Sequence, residues 1–115
     1  DAADRTIRNL EGGPSAEDVR ILLSHYPDRV LALAPRSRVD LVVAGHTHGG
    51  QVRLPWIGPL MTFSSVPGRV AGGGLHELDG RRIYVSRGVG MERGPAPRLR
   101  VLTPPDVSLI TLESP

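Results

Sequence analysis

The sequence has no cysteine and no lysine, and aromatic residues make up only 3% of its 115 positions. The absence of cysteine excludes disulfide bonds, zinc sites with thiolate ligands and thiol catalysis. Every basic residue is an arginine, which keeps its proton near neutrality, so the pI of about 9.9 reflects arginine usage at a net charge of only +2. The core must therefore be built from valine, leucine, isoleucine and alanine, in one domain or part of one.

Long apolar runs are also missing. No stretch reaches the ~18 residues that a membrane-spanning helix needs, and the first ten residues lack the apolar region of a signal peptide. The arginines are scattered without interleaved aromatic residues, so no nucleic-acid binding is predicted. The planar guanidinium still suits phosphate ligands. Because the sequence does not begin with methionine, we expect it to be part of a longer protein, and its localisation is undetermined.

The local patterns predict a mixed α/β sheet. Residues 19–25 are a short apolar run of strand length, and residues 39–45 are a continuous run typical of a strand covered on both faces. A short helix from Pro27 to Pro35 connects them. Residues 75–88 predict a β-hairpin around an Asp-Gly turn. Ligands usually bind where loops leave the strand ends of such sheets.

The remaining segments are predicted mainly as loops. Residues 1–11 tolerate a helix, and residues 52–55 suit a short strand. Residues 56–74 and 91–106, rich in glycine or proline, are predicted as long loops. Residues 107–113 alternate in polarity and predict a last strand.

The four histidines are unevenly placed. His46 and His48 follow the second apolar run, and in an extended chain positions i and i+2 face the same side. His25 ends the first run, so parallel pairing of the two strands would bring it beside His46. Three imidazoles could then converge on a metal ion, although histidines bonded to loop backbone remain an alternative. His76 has no partner pattern and is predicted to be a surface or packing residue.

Several strings together resemble one known family. "ILLSHYPD", "VVAGHTHGGQVRLP", "YVSRGVG" and "PRLRVLTPPDVSLITLE" are similar to the C-terminal half of the calcineurin-like metallophosphoesterases, over residues 19–113. The nearest likeness is to the bacterial branch with the GHTHGGQ motif. The resemblance implies that residues 1–115 form a single partial domain. Its fold would be the C-terminal half of a β-sandwich flanked by helices, with a mixed sheet.

The resemblance also implies chemistry. Family members hydrolyse phosphomonoester, phosphodiester or pyrophosphate bonds with a hydroxide activated by two divalent ions, which could be Mn, Fe, Zn or Ni. By resemblance, His25 and His46 bind one ion and His48 binds the other. Two such ions can hold the phosphoryl group for in-line attack.

The sequence departs from the family pattern in one respect. The Asp-x-His, Gly-Asp and Gly-Asn-His motifs of the family's first half do not occur here. We therefore expect an incomplete site whose N-terminal half is supplied in cis or in trans. The alternative is a non-catalytic relative with one weak histidine-based metal site, acting as a binding or structural module, and a remnant without metal is a third reading. The resemblance leaves association with a membrane surface open.

Other residues carry weaker predictions. Arg87 would contact phosphate or form a surface ion pair. Gly49, Gly50 and Gln51 would shape the substrate rim, with backbone bracing an equal alternative for Gln51.

Two further predictions concern loops. Trp56 and Met61 would form an apolar lid over a lipid-like or aromatic substrate, or simply pack within their loop. Asp28 would cap or charge the first turn of the short helix.

Overall fold

A computed structural model describes residues 2–12, 15, 17–92, 94 and 97–113. Its helices and strands, in chain order, are α1 (Ala2–Gly12), β1 (Ile21–Ser24), a 3₁₀ helix (Pro27–Ala32), β2 (Leu41–Ala44), a second 3₁₀ helix (His48–Gly50), β3 (Arg53–Leu54), β4 (Gly58–Pro59), α2 (Gly68–Ala71), β5 (Gly74–Leu78) and β6 (Arg81–Val85). None of the helices in these ranges is long and apolar enough to cross a bilayer.

Four strands form one mixed sheet in the order β1-β2-β6-β5. The β1–β2 and β2–β6 pairs are parallel, and the β5–β6 pair is antiparallel. Strands β3 and β4 form a separate two-stranded ribbon. This confirms the predicted α/β class with a mixed sheet, as expected for the C-terminal half of the fold that the sequence resembles.

The predicted hairpin is confirmed. Strands β5 and β6 are joined by Asp79 and Gly80, with φ angles of 51° and 76°. Positive φ at both central residues is the requirement of a type I′ turn, whose twist matches that of the paired strands. Aspartate and glycine tolerate this conformation better than most residues, so the turn sets the register of the two strands.

The core lies on one face of the sheet. Val42, Ile83 and Val85 project from the central strands and are fully buried. The 3₁₀ helix and α2 cover them with Val30 and Val70, which are also fully buried. Each such side chain contributes roughly 1.5–3 kcal/mol on burial. Inner-strand burial explains why the second apolar run is continuous.

The predicted last strand is wrong. Residues 107–113 form no strand, and within the described chain their backbone makes no hydrogen bond to the sheet. They run across the second face of the sheet, where the hydroxyls of Ser108 and Tyr84 are hydrogen-bonded. Ile110 and Leu112 line a cavity there with Leu41. Alternating polarity predicted a strand, but the segment lies on a face and not at an edge where a backbone ladder could form.

The predicted loop at residues 56–74 is also partly wrong, because it contains β4 and α2. Pro67 stands at the start of α2 and its carbonyl accepts from the amides of Val70 and Ala71. Burial of Val70 and Ala71 in the core stabilises a helix of only one turn, which local propensity alone would not support.

Candidate functional site

Parallel pairing brings three loops to one edge of the sheet. His25 follows β1, residues 45–51 follow β2, and residues 86–90 follow β6. The amide of Gly45 donates to the carbonyl of His25 at 3.3 Å, and the amide of Ser86 donates to the carbonyl of Ala44 at 2.8 Å. Backbone hydrogen bonds therefore hold the three loops side by side.

A threonine fixes the middle loop to the core. The buried hydroxyl of Thr47 donates to the carbonyl of Ala71 at 2.7 Å and accepts from the amide of Gly49 at 3.3 Å. Because Ala71 belongs to α2, the position of the neighbouring histidines depends on a helix that the sequence did not predict.

His25 and His46 lie in direct contact, as the parallel pairing of their strands predicted. Nδ1 of His46 is 3.0 Å from Nε2 of His25, and the ring of Tyr26 packs on His46 with centroids 4.2 Å apart. His46 has a φ of 69°, in the left-handed region that residues with a Cβ rarely adopt. Such strain is typical of functional positions that the surrounding structure holds in place.

The environment of His46 favours the neutral form of its ring. Burial lowers its pKa, and the neighbouring His25 and His48 lower it further, against smaller opposing effects of the Phe63 backbone and Asp28. A neutral imidazole has a ring lone pair available, which is the form that binds metal ions.

His48 stands apart from this pair. Its Nδ1 lies 3.2 Å from the carbonyl oxygen of Gly90, in the loop after β6. Because a carbonyl only accepts, a neutral His48 ring carries its proton on Nδ1 and has its lone pair on Nε2. Metal-binding histidines commonly donate one ring N–H to a backbone carbonyl in this way, which fixes the tautomer and aims the other nitrogen.

The histidine pair fits part of a metal site. Two nitrogens bound to one ion at about 2.0–2.1 Å would be about 2.8–3.4 Å apart for angles between 90° and 109°. The observed 3.0 Å between His25 and His46 lies within this interval, and it equally fits a hydrogen bond between two neutral rings. Within the described ranges, no group of three or more His, Cys, Asp or Glu residues is arranged to hold an ion.

The predicted rim glycines are buried, and each is packed against a neighbouring segment. A Cβ on Gly49 would lie 2.5 Å from Cγ2 of Thr103 and 2.7 Å from Cγ of Arg87. A Cβ on Gly50 would lie 2.5 Å from Cβ of Pro59. Both glycines also have positive φ. The structure therefore requires glycine here for close packing as well as for the turn.

Arg87 passes between two glycines. Its Cγ would be 2.7 Å from a Cβ on Gly49 and 2.7 Å from a Cβ on Gly73. At its far end, Nε donates to Oδ2 of Asp106 at 2.9 Å. The guanidinium thus lies beside the candidate site with a carboxylate already bound on one side.

Gln51 is buried and both ends of its amide are occupied by backbone. Nε2 donates to the carbonyl of Pro97 at 2.7 Å, and Oε1 accepts from the amide of Glu92. Of the two alternatives that the sequence left open, this geometry favours bracing, because it fixes the loop after β6 to the loop of the histidines.

Sequence reasoning missed Arg100. Its guanidinium donates to backbone carbonyls of the loop after β2, the loop after β6 and the segment around Thr103, namely those of His48, Arg87, Gly88, Gly90 and Thr103. Nothing local distinguishes it among 14 arginines, because all the partners except Thr103 are carbonyl groups 10 to 52 residues away in the sequence.

The remaining predicted residues have simpler environments. Nε2 of the partly buried His76 lies 3.0 Å from the carbonyl oxygen of Gly73, as suits a packing residue. Asp28 lies in the first turn of its 3₁₀ helix, which is one of the two predicted placements of its charge. Its carboxylate accepts from the Ser64 hydroxyl at 2.7 Å and the Ser65 amide at 2.6 Å.

Hydrogen bonds lower the pKa of Asp28 by more than burial raises it. Burial raises the pKa of the carboxyl, but the hydrogen bonds from Ser64 and Ser65 hold the pKa below its ordinary value. Asp28 therefore fixes the middle of the loop between β4 and α2 as an ionised acceptor.

Comparison with known proteins identifies relatives. The uncharacterized metallophosphoesterase YkuE of Bacillus subtilis is 43% identical over 94 residues, which are 82% of this chain and 31% of that protein. The phosphodiesterase YaeI of Escherichia coli is 37% identical over 81% of this chain and 32% of that protein. The UDP-2,3-diacylglucosamine pyrophosphatase LpxG of Chlamydia trachomatis is 32% identical over 78% of this chain and 28% of that protein.

The aligned region is a part of each relative. The chain spans about a third of the length of these curated proteins. No protein-family model matches the sequence, and no solved structure matches it.

Proposed function

Because the chain belongs to the calcineurin-like metallophosphoesterase family, we propose that it supplies the C-terminal part of a metal-dependent phosphoesterase site. The substrate would be a phosphomonoester, a phosphodiester or a pyrophosphate. Two relatives are named as a phosphodiesterase and a pyrophosphatase, which supports this range of phosphate esters.

The observation that carries the proposal is the 3.0 Å contact between Nε2 of His25 and Nδ1 of His46. In this proposal the two imidazoles bind one divalent ion, and Nε2 of His48 faces a second. Bound ions would polarise phosphoryl oxygens and provide a nucleophile at neutral pH. Mn, Fe, Zn and Ni all accept imidazole ligands.

The other site residues have supporting roles in this proposal. The Gly90 carbonyl holds the tautomer of His48, and Gln51 and Arg100 hold the loops on either side. Arg87 would offer its remaining guanidinium N–H groups to a phosphate while Asp106 fixes its Nε. Ligands beyond the histidines would come from the N-terminal part of the domain, in cis or in trans.

Metal binding gives the first test. The melting temperature of the chain should rise with Mn²⁺ or Zn²⁺, because an ion bound only to the native state stabilises it by mass action. His25→Ala and His46→Ala should abolish the rise. The matched control His76→Ala should keep it, because His76 lies on β5 away from the pair. Equal responses in all three variants would reject the histidine pair as a metal site.

Hydrolysis gives the second test. Joined to the N-terminal part of its own domain, the chain should hydrolyse a chromogenic phosphodiester with added metal, and His46→Ala should remove this activity. If metal binds and His46→Ala removes the binding, but no phosphate ester is hydrolysed, the proposal of a phosphoesterase fails.

A non-catalytic metal-binding module is the second candidate. It is favoured by the finding that the described part of the chain offers no third acidic or histidine ligand beside His25 and His46. This candidate predicts metal-dependent stabilisation without hydrolysis, so the same pair of measurements separates the two.

A further inference from the structure

The ribbon of β3 and β4 ends in a strained turn that presents a tryptophan to solvent. The amide of Ile57 donates to the carbonyl of Pro55 at 2.8 Å, which closes a three-residue turn with Trp56 at its centre. Trp56 has a φ of 63°, a conformation that is rare for a bulky residue in so tight a turn. Its exposure is 101%, and that of Ile57 is 72%. The chain thus holds two large apolar side chains away from its own core.

A groove lies beside this turn. It has a volume of about 800 Å³ and lies between the β3–β4 ribbon and α2. Leu54 and Leu102 contribute apolar surface to it, and Arg53 and Arg69 contribute the charge. Among the residues that the structure describes, no carboxylate lines the groove. The apolar tip, formed by Trp56 and Ile57, and the two arginines therefore lie on one surface.

The charge of this region is of one sign. Residues 41–76 contain no aspartate or glutamate. Arg53 and Arg69 are exposed, and within the described chain neither side chain forms a hydrogen bond or an ion pair. Their guanidinium groups remain available to an anionic partner, for which the planar donor arrangement suits phosphate.

We propose that the tip Trp56-Ile57, with Arg53 and Arg69, docks on an anionic phospholipid surface. Tryptophan prefers the membrane interface because its ring is apolar and its N–H can remain hydrated. The two arginines bind lipid phosphates while the apolar tip enters the headgroup region. Docking would bring the chain to a membrane without a spanning helix, and it does not depend on the histidine site.

The charge of the groove favours an anionic lipid surface over a second copy of the chain as the partner. A symmetric dimer through the same surface would place the arginines of one copy against those of the other, with no carboxylate in the groove to offset them. An anionic lipid surface offers the opposite charge and the apolar layer together.

The test uses the single tryptophan of the chain, which makes its fluorescence a direct report on Trp56. Phosphatidylcholine vesicles containing phosphatidylglycerol should shift the emission to shorter wavelength and sediment the protein. Pure phosphatidylcholine should have little effect. Added salt should weaken binding because the arginine contribution is screened. Arg53→Gln and Arg69→Gln should each weaken binding about fivefold, the factor expected per basic residue near an anionic surface.

Matched variants make the outcome decisive. Trp56→Ala should no longer sediment with the anionic vesicles. Leu109→Ala, which removes an exposed apolar side chain outside the tip, should still sediment with them. Arg36→Gln and Arg98→Gln remove the same charge outside the groove and should bind like the parent chain. The two groove arginine variants change exposed side chains only, so they keep the test valid if Trp56→Ala does not fold. No shift with anionic vesicles, an equal shift with neutral ones, or a shift that grows with protein concentration alone would each overturn the proposal, the last in favour of self-association.

Discussion

Arg87 and Gly49 occupy one shared space: a Cβ on the glycine would lie 2.7 Å from Cγ of the arginine. Gly73 limits the other side of the same side chain. The two glycines therefore form a channel that directs Arg87 toward Asp106. The sequence predicted that Arg87 lies beside the candidate site. The structure shows that it fits there because Gly49 and Gly73 have no side chains.

Gly49→Ala tests this packing. The new Cβ would meet Arg87 and Thr103, at a backbone φ of 64° that disfavours alanine. We expect a loss of about 2–4 kcal/mol in the free energy of unfolding, from the left-handed conformation and the overpacking together. The matched control is Gly45→Ala, which meets nothing within 4 Å and should change stability by less than about 1 kcal/mol. Urea unfolding of both variants gives the comparison, and equal losses would reject the packing argument.

Arg100→Ala tests the connection between the loop after β2, the loop after β6 and the segment around Thr103. Removing the guanidinium leaves carbonyls of His48, Arg87 and Thr103 without this donor. We expect a loss of about 2–4 kcal/mol, because hydrogen bonds to charged groups contribute about 1.5–3 kcal/mol each and are not additive. Amide hydrogen exchange should quicken in residues 86–90 and 101–106. Arg98→Ala, an exposed arginine nearby, should stay within about 0.5 kcal/mol of the parent. Unchanged exchange in Arg100→Ala would show that the loops are held by other contacts.

Gln51→Glu tests the bracing role of the buried amide. The glutamate keeps an acceptor for the amide of Glu92 but loses the donor to the carbonyl of Pro97. We expect a loss of at least about 2 kcal/mol at pH 7, where a buried carboxylate faces a carbonyl oxygen. Part of the loss should be recovered at lower pH, since the protonated acid can donate again. A pH-independent loss would mean that the Pro97 bond contributes little.

Asp28 should make stability depend on acid pH. Its folded pKa is held below that of the unfolded chain, so the carboxylate contributes stability that is present above the unfolded pKa of about 3.9. That contribution is lost as the pH falls through the lower folded pKa, because the folded state then has to take up a proton. Asp28→Asn should reduce the fall in melting temperature between about pH 5 and pH 2.

Serine variants test whether the hydrogen bonds to Asp28 cause its effect on stability at acid pH. Ser64→Ala removes one of its donors and should reduce the same acid dependence. Ser37→Ala removes a serine whose hydroxyl accepts from the backbone amide of Val39, and it should leave the acid dependence as in the parent. An unchanged acid dependence in Asp28→Asn would show that other carboxylates determine it.

The sequence predicted the parts of the fold that depend on local pattern. Both apolar runs became parallel neighbours, and the Asp79-Gly80 turn formed the hairpin. The contact of His25 with His46 followed from pairing alone, because carboxyl ends of parallel strands meet at one edge. These features need only periodicity, turn chemistry and the rule of parallel pairing.

Features that depend on distant partners were not predictable in this way. Residues 107–113 have the alternation of a strand but lie on a face of the sheet, where the described part of the chain gives them no backbone partner. Helix α2 exists because Val70 and Ala71 are buried by segments far away in sequence. The roles of Arg100 and Asp28 likewise depend on loop groups that only the folded chain brings near.

The parallel arrangement of β1, β2 and β6 has a consequence for variation among relatives of this chain. The hydrogen bonds between these strands lie in the sheet, whereas the residues near the histidines lie in the turns that leave it. Substitutions in those turns that avoid the packed glycines, Thr47 and Gln51 leave the strand ladder intact. Substitutions in these turns can therefore change what this end of the molecule binds while the hydrogen bonds of the sheet stay the same.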